Sequence, residues 1–524
     1  MRKAVLALSI LAVLLLMAGC GSQSSVTPST TTTNPAVQTA PVGVTVTDTP
    51  PAGVTVLFFQ LSITGATLTN SSGGTVSLLS STNPIPVNVS ELLTDSAFLG
   101  SQNVAAGTYT GMSLTFANPQ LTIFNASNNT ISASCAVGKV CQLTPTTTPL
   151  TLTFDSSNSS AFPVTLTAGS PLGFKLDIHL DTVIQTDLSV NLAATNGVTL
   201  SQISPPQSGG PIRSIGKLTG TVQSTGTNQF TLQTLWGKTF TVNVNSSTTY
   251  SNFPSSATCS AAAQTFSCLA TSQVVRVMVT LQTDGTLLAT AVNYIQLPTQ
   301  QTVQGNIISL STSGGNTIMD LIIQHQPSAT NATMLPVGRH ASVTVPGTGV
   351  TYATDAGSFV IPSGLTFASA SDLQVGQNVL VVVQGTVNQM TGSGTSGWNG
   401  PTPFGSPDVS FTASSITLEP SQITGTVAGV NASALSFTLA TLPRYFVPPS
   451  ATRGATPAWA PIIITVQTSA DTTFTNFTTN SISGLAVNNV VSIHGWVFST
   501  PTGVTNVTVA ADKVINRPGP TPLY

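Results

Sequence analysis

The chain has 524 residues and only 13 Lys and Arg against 15 Asp and Glu, so 5% of it is charged, where an ordinary globular domain carries about 25%. No Lys/Arg cluster is present to neutralise phosphates, which excludes nucleic acid as a partner, and a strongly charged membrane-surface helix is excluded on the same ground. A hydrophobic fraction of 40% and a mean hydropathy of +0.31 exclude a charge-rich disordered polymer; with two Glu (Glu91, Glu419) and abundant Thr, Ser, Val, Asn and Gly, the composition is that of an extracytoplasmic β protein.

Residues 1–19 read as an export signal. Arg2 and Lys3 form a positive start, and Ala4 to Met17 are apolar apart from Ser9. This run falls short of the ~20 residues needed to span a bilayer, which argues against an uncleaved anchor. Leu16-Met17-Ala18-Gly19-Cys20 resembles the lipobox of bacterial lipoproteins. That resemblance implies acylation of Cys20, cleavage before it, and anchoring to a membrane through lipid. Two or three acyl chains hold a protein stably, where one would be marginal. Gly21, in place of the Asp that commonly retains lipoproteins at an inner membrane, favours an outer membrane, with the body facing the periplasm or the cell surface. Removing Arg2 and Lys3 leaves a formal charge near −4.

Residues 20–40 form a lipidated Cys and a Ser/Thr/Pro-rich tether without periodicity. From Val42 short alternating runs bounded by Gly, Pro and Asn predict strands, as in Val54–Ile63 and Tyr109–Phe116. A short helix is expected over Ser90–Asp95, with Ser90 as N-cap and Glu91 in its first turn. Thr45-Val-Thr-Asp48-Thr-Pro50, Asn103-Val-Ala-Ala-Gly107-Thr108-Tyr109 and Phe174-Lys-Leu-Asp177-Ile-His-Leu-Asp181 together resemble the bacterial lipoprotein family known as domain of unknown function 4382. The resemblance covers about residues 41–200 and implies an all-β, sandwich-like domain, here bounded at 41–204, with no established activity. Pro205-Pro206 and Gly209-Gly210-Pro211 mark a linker.

The remainder repeats. Lys217-Leu-Thr-Gly220, Thr302-Val-Gln-Gly305 and Gln422-Ile-Thr-Gly425 open three units, 212–297, 300–420 and 421–517. Each continues with a second alternating strand, then a Thr-aromatic pair (Thr249-Tyr250, Thr351-Tyr352, Thr473-Phe474) and a Val-rich strand. Each ends in Ala-x-x-hydrophobic, at Ala291–Tyr294, Ala413–Ile416 and Ala511–Val514. The units resemble domain of unknown function 5666, which implies small barrel-like β modules. The openings lie 85 and then 120 residues apart, so the second unit carries insertions.

With Cys20 committed to lipid, Cys135/Cys141 and Cys259/Cys268 predict two local disulfides in an oxidising compartment. Free thiols or a metal set are the alternatives, although neither spacing is usual for zinc and no His lies near. Asp177, His179 and Asp181 would share one face of a strand and so could hold a divalent metal, the one cofactor the chain suggests. The plainer reading is the solvated face of a strand whose other face, Leu176, Ile178 and Leu180, builds the core. Asp48 reads as a turn residue before Pro50. Residues 391–408 carry Trp398 and Phe404, and residues 442–461 carry Tyr445, Phe446 and Trp459. These aromatics would either stack on a glycan or anchor an envelope protein, or fold back over their own module. No hydrolase, nucleotide or zinc-protease fingerprint occurs. The expected function is therefore a non-enzymatic, lipid-anchored binding or structural protein; the alternative is a metal-dependent or carbohydrate-active envelope hydrolase.

Overall fold

The computed structural model describes residues 39–517, apart from 50–54, 80–83, 93–96, 126–134, 136–139, 171, 186, 204–212, 235–238, 257, 261–262, 283–285, 296–300, 326–334, 336, 358, 390–406, 442–462 and 500–505. The fold is almost entirely β: a domain of two large sheets and a small parallel pair (Thr147–Thr148 with Val190–Asn191) is followed by three barrel-like rings.

In the N-terminal domain, Thr39–Thr49 runs parallel to Leu172–His179 and antiparallel to Ala97–Ala105, and Val198–Ile203 completes a four-stranded sheet. The second sheet has seven strands around the long antiparallel pair Thr55–Asn70 and Gly107–Phe124. Residues alternate between faces in a strand, so Leu172–His179 turns Phe174, Leu176 and Ile178 inward, where they share one core with Phe59, Leu61 and Ile63 of the other sheet. Removing each such side chain from water contributes about 1.5–3 kcal/mol. The helix expected from Ser90 is a single 3-10 turn, Val89–Glu91, with Asn88 at the N-cap position. Val89 and Leu92 are drawn into the core, and the Ser90 hydroxyl donates to Asn88 Oδ1 (2.6 Å) and accepts from the Phe59 backbone N–H (3.3 Å). Ser90 thus ties the turn to a strand rather than capping a helix.

The three rings share one plan. Module 1 comprises Arg213–Gly226, Gln229–Thr234, Thr239–Asn243, Thr249–Ser251, Val274–Leu281 and Leu287–Tyr294. The third strand pairs in parallel with the sixth and closes a five-stranded ring, and the short fourth strand continues farther along the sixth. Module 2 (Thr302–Ser313, Asn316–His325, His340–Val345, Thr351–Thr354, Asn378–Gln389, Val409–Glu419) and module 3 (Ser421–Asn431, Ser436–Thr441, Ile463–Gln467, Thr473–Thr475, Val490–Ser499, Asn506–Asn516) have the same order and the same closure.

Local devices repeat as well. The side-chain carbonyls of Gln273, Gln377 and Asn489 accept from the backbone N–H three residues earlier, at 2.8, 2.8 and 2.7 Å, fixing the turn before the fifth strand. At the matched opening glycines, a Cβ on Gly220 or Gly305 would sit 2.3 Å from the carbonyl oxygen of Gln233 or Ile322, so only glycine lets the first two strands cross this closely. The Thr-aromatic pairs place a ring against a second one from the following loop: Tyr250 with Phe253, Tyr352 with Phe367, and Phe474 with Phe477.

One expectation shifts in register. Val277 pairs with Val292, Val381 with Ile416 and Ile493 with Val514, so the module 1 counterpart of Ala413 and Ala511 is Ala289 and not Ala291. All three matched alanines are fully buried, where a larger side chain would displace the ring's own core.

Candidate functional site

The candidate metal triad is not laid along one strand. The strand carrying Asp177 ends at His179, and Leu180–Val183 forms a helical turn that takes Asp181 off the strand's period. Asp177 Oδ2 lies 3.3 Å from Lys175 Nζ, its neighbour two residues back on the same face. Among the described residues no three His, Cys, Asp or Glu are arranged to hold a metal ion. The polar face of this strand is organised around a partly buried ion pair.

The four remaining cysteines form two local disulfides, Cys135–Cys141 and Cys259–Cys268. Both sit in apolar cores rather than on exposed loops. The first is anchored further by Asn125, whose Nδ2 donates to the Cys135 carbonyl at 3.0 Å. The second staples the loop that, in module 1, leads from the fourth strand to the 3-10 turn Phe266–Cys268. Cys20, Trp398, Phe404, Tyr445, Phe446 and Trp459 lie outside the described residues.

The densest polar chemistry lies where the modules meet, and most of it centres on module 2. Toward the N-terminal domain, Leu57, Phe58 and Phe124 bury against Ile308 and Ile322. Gln324 is buried in this contact and paired at both ends of its amide: its Nε2 donates to the Leu57 carbonyl (2.8 Å) and its Oε1 accepts from Asn88 (2.8 Å). Thr122 donates to the Gly338 carbonyl at 2.7 Å. Gly338 has a φ of +77°, and a Cβ there would meet both Phe58 and Thr122 at 2.8 Å, so the approach requires glycine. Gln142 donates to Asp408, which also accepts from the His340 backbone N–H (3.1 Å) and pairs with Arg339 (3.3 Å). Behind them Asp320 is buried; it accepts from Ser309 (2.6 Å) and lies 3.7 Å from His340 Nε2.

Toward modules 1 and 3, Asp355 is the common point. Its carboxylate accepts from Arg276 of module 1 at 2.5 Å, and its backbone carbonyl accepts from Trp496 Nε1 of module 3 at 3.0 Å. Its own N–H donates to the Leu418 carbonyl at 2.9 Å, which fixes it on module 2. Arg276 also reaches Glu419 at 3.3 Å, and the Glu419 side chain is only 4% exposed. Burial acts to lower the pKa of the Arg276 guanidinium, but the carboxylates of Glu419 and then Asp355 more than offset it, leaving Arg276 above its ordinary value and charged throughout. Phe359 stacks on Trp496 with ring centroids 5.0 Å apart, and Gln377 Nε2 donates to the Val497 carbonyl at 2.9 Å. On module 3, His494 Nδ1 lies 2.6 Å from Asp512 Oδ1 beside the same Trp496.

Sequence reasoning did not single out Arg276, Asp355, Trp496 or Gln324. A signal existed for one of them: Arg276 interrupts the outward side of Val274-Val-Arg-Val-Met-Val279, and a lone cation among valines needs an anion when a neighbour covers that face.

No curated protein shows significant similarity to the chain. Two family models do match it, at residues 39–201 and 219–293. The first match, over the N-terminal sheets, is to the domain of unknown function DUF4382, and the second, over most of the first ring, is to the domain of unknown function DUF5666.

Proposed function

We propose that this chain is an exported bacterial lipoprotein, held on a membrane by lipid at Cys20, whose β modules serve as a non-enzymatic binding or structural body of the cell envelope. The observation that carries the reading is burial of module 2 and module 3 strands on both faces. Asn316–His325 and Val490–Ser499 are buried almost throughout, one face inside their own ring and the other against a neighbour. Evolution of such shared surfaces fits a body whose task is to present or connect, with the modules held in fixed relation. The few charges fit a surface covered by hydroxyls and amides, suited to contact with glycans or envelope proteins. Trp398, Tyr445 and Trp459 are the aromatics proposed for that contact. An outer membrane is the proposed location.

Metabolic labelling with a fatty acid tests the anchor. The parent chain should take up label and partition with membranes, whereas Cys20→Ala should lose both. Protease shaving of intact cells carrying an epitope after Tyr524 then decides the side: loss of the epitope places the body at the cell surface, and protection until lysis places it in the periplasm. Unlabelled parent protein found in the soluble fraction would overturn the anchored reading.

A further inference from the structure

We propose that Asp355 is a coupling point that locks modules 1 and 3 to each other through module 2, so that loosening module 3's grip loosens module 1. The proposal concerns the body alone and stands whether or not Cys20 is acylated. Asp355 uses different atoms for its two neighbours: the carboxylate binds Arg276 of module 1, and the backbone carbonyl binds the indole N–H of Trp496 in module 3. A residue that bonds both partners transmits displacement, because moving its carbonyl moves its carboxylate. The segment that follows is clamped by the stacked pair Phe359 and Trp496, and Gly357 approaches the Asn293 amide of module 1. Arg276 gives the link its direction. With Asp355 displaced, its guanidinium keeps only Glu419, and a buried cation with half its partners gone opens the module 1 contact.

Module 1 contains its own reporter. Cys259 and Cys268 are buried in its core, so reductant and a thiol label reach them only when module 1 opens, whereas Cys135 and Cys141 report the N-terminal domain in the same molecule. The experiment is reduction-coupled thiol trapping of the full chain at 25 °C under native conditions. Arg276→Met, which keeps the length of the stem and removes the charge, should speed labelling of Cys259 and Cys268 by roughly a hundredfold or more. Trp496→Phe is the deciding variant: it keeps an aromatic ring for Phe359, removes the indole N–H, and changes no side chain of module 1. It should speed labelling at Cys259 and Cys268 several-fold and leave Cys135 and Cys141 at the parental rate. Parental rates at Cys259 and Cys268 in Trp496→Phe would overturn the proposal. So would equal acceleration at both cysteine pairs, which reports general destabilisation, or Arg276→Met labelling like the parent.

Discussion

The second strand of module 1, Gln229–Thr234, and its counterpart in module 2, Asn316–His325, occupy the same place in the same ring. In module 1 the strand alternates: Phe230 and Leu232 face the core, while Gln229, Thr231 and Gln233 meet water. In module 2 the inward set is Met319, Leu321 and Ile323, but the outward set Asp320, Ile322 and Gln324 is buried too. Strict alternation is therefore a property of one-sided burial, and it vanishes when a neighbouring domain takes the place of water. What covers the module 2 strand is Leu57, Phe58 and Phe124 of the N-terminal domain. Polar residues persist on the covered face only where they find partners, as Gln324 does in Leu57 and Asn88.

The sharpest way to break this comparison is at the charged junction. Arg276→Met should lower the stability of the full chain by about 3–5 kcal/mol, because it removes a cation that two carboxylates share in a buried contact; denaturant unfolding checks the figure. Next in size, Ile322→Gln gives module 2 the residue that module 1 carries at the matched position. It should cost about 2–4 kcal/mol, while the reverse exchange in module 1, Gln233→Ile, should change stability by no more than about 0.5 kcal/mol. Equal effects of the two exchanges would show that the outer face of the module 2 strand is wet.

A smaller effect appears at alkaline pH in module 1. Burial pushes the Tyr250 phenol up to about 12, and its hydroxyl has no hydrogen-bond partner among the described residues. The folded chain keeps this proton after the unfolded chain, titrating near the ordinary value of about 10, has lost it. The associated stability is fully present below pH ~10 and is lost as pH rises toward 12. Tyr250→Phe should remove a late-titrating phenolate from the absorbance curve and flatten that part of the alkaline stability loss. A small effect is expected at the strand that carries Asp177. Lys175→Ala, which breaks the partly buried pair with Asp177, should cost about 1 kcal/mol.

The all-β class and the three repeats were legible because they rest on local chemistry: opening glycines, Thr-aromatic pairs and Val-rich strands recur at matched places. The two disulfides were legible from close spacing for a related reason, since a short loop closes cheaply in chain entropy. The extent of the strand past Asp177 was not legible. Leu180 continues the apolar alternation on paper, yet the chain turns there, and Asp181 stands outside the strand that carries Asp177 and His179. The sixth-strand register in module 1 failed for a similar reason: Ala289 and Ala291 both fit the pattern, and only pairing with Val277 and Val279 selects the first. The junction residues were hidden more deeply. Arg276, Asp355 and Trp496 are far apart in the chain, and each is unremarkable until the packing of rings brings them together.

The parallel closure between third and sixth strands has a consequence for a chain that repeats one unit three times. Copies tied in tandem are at high local concentration, and an open sheet in each would offer unpaired backbone on which the next copy could grow a shared sheet. A ring spends its outermost strands on each other. Neighbouring copies then meet through side chains and the backbone carbonyls those side chains reach, not through a shared sheet, so each module keeps its own strands while its outer surface changes to suit whatever lies beside it. Tandem duplication of such a unit adds length without adding a route to strand exchange.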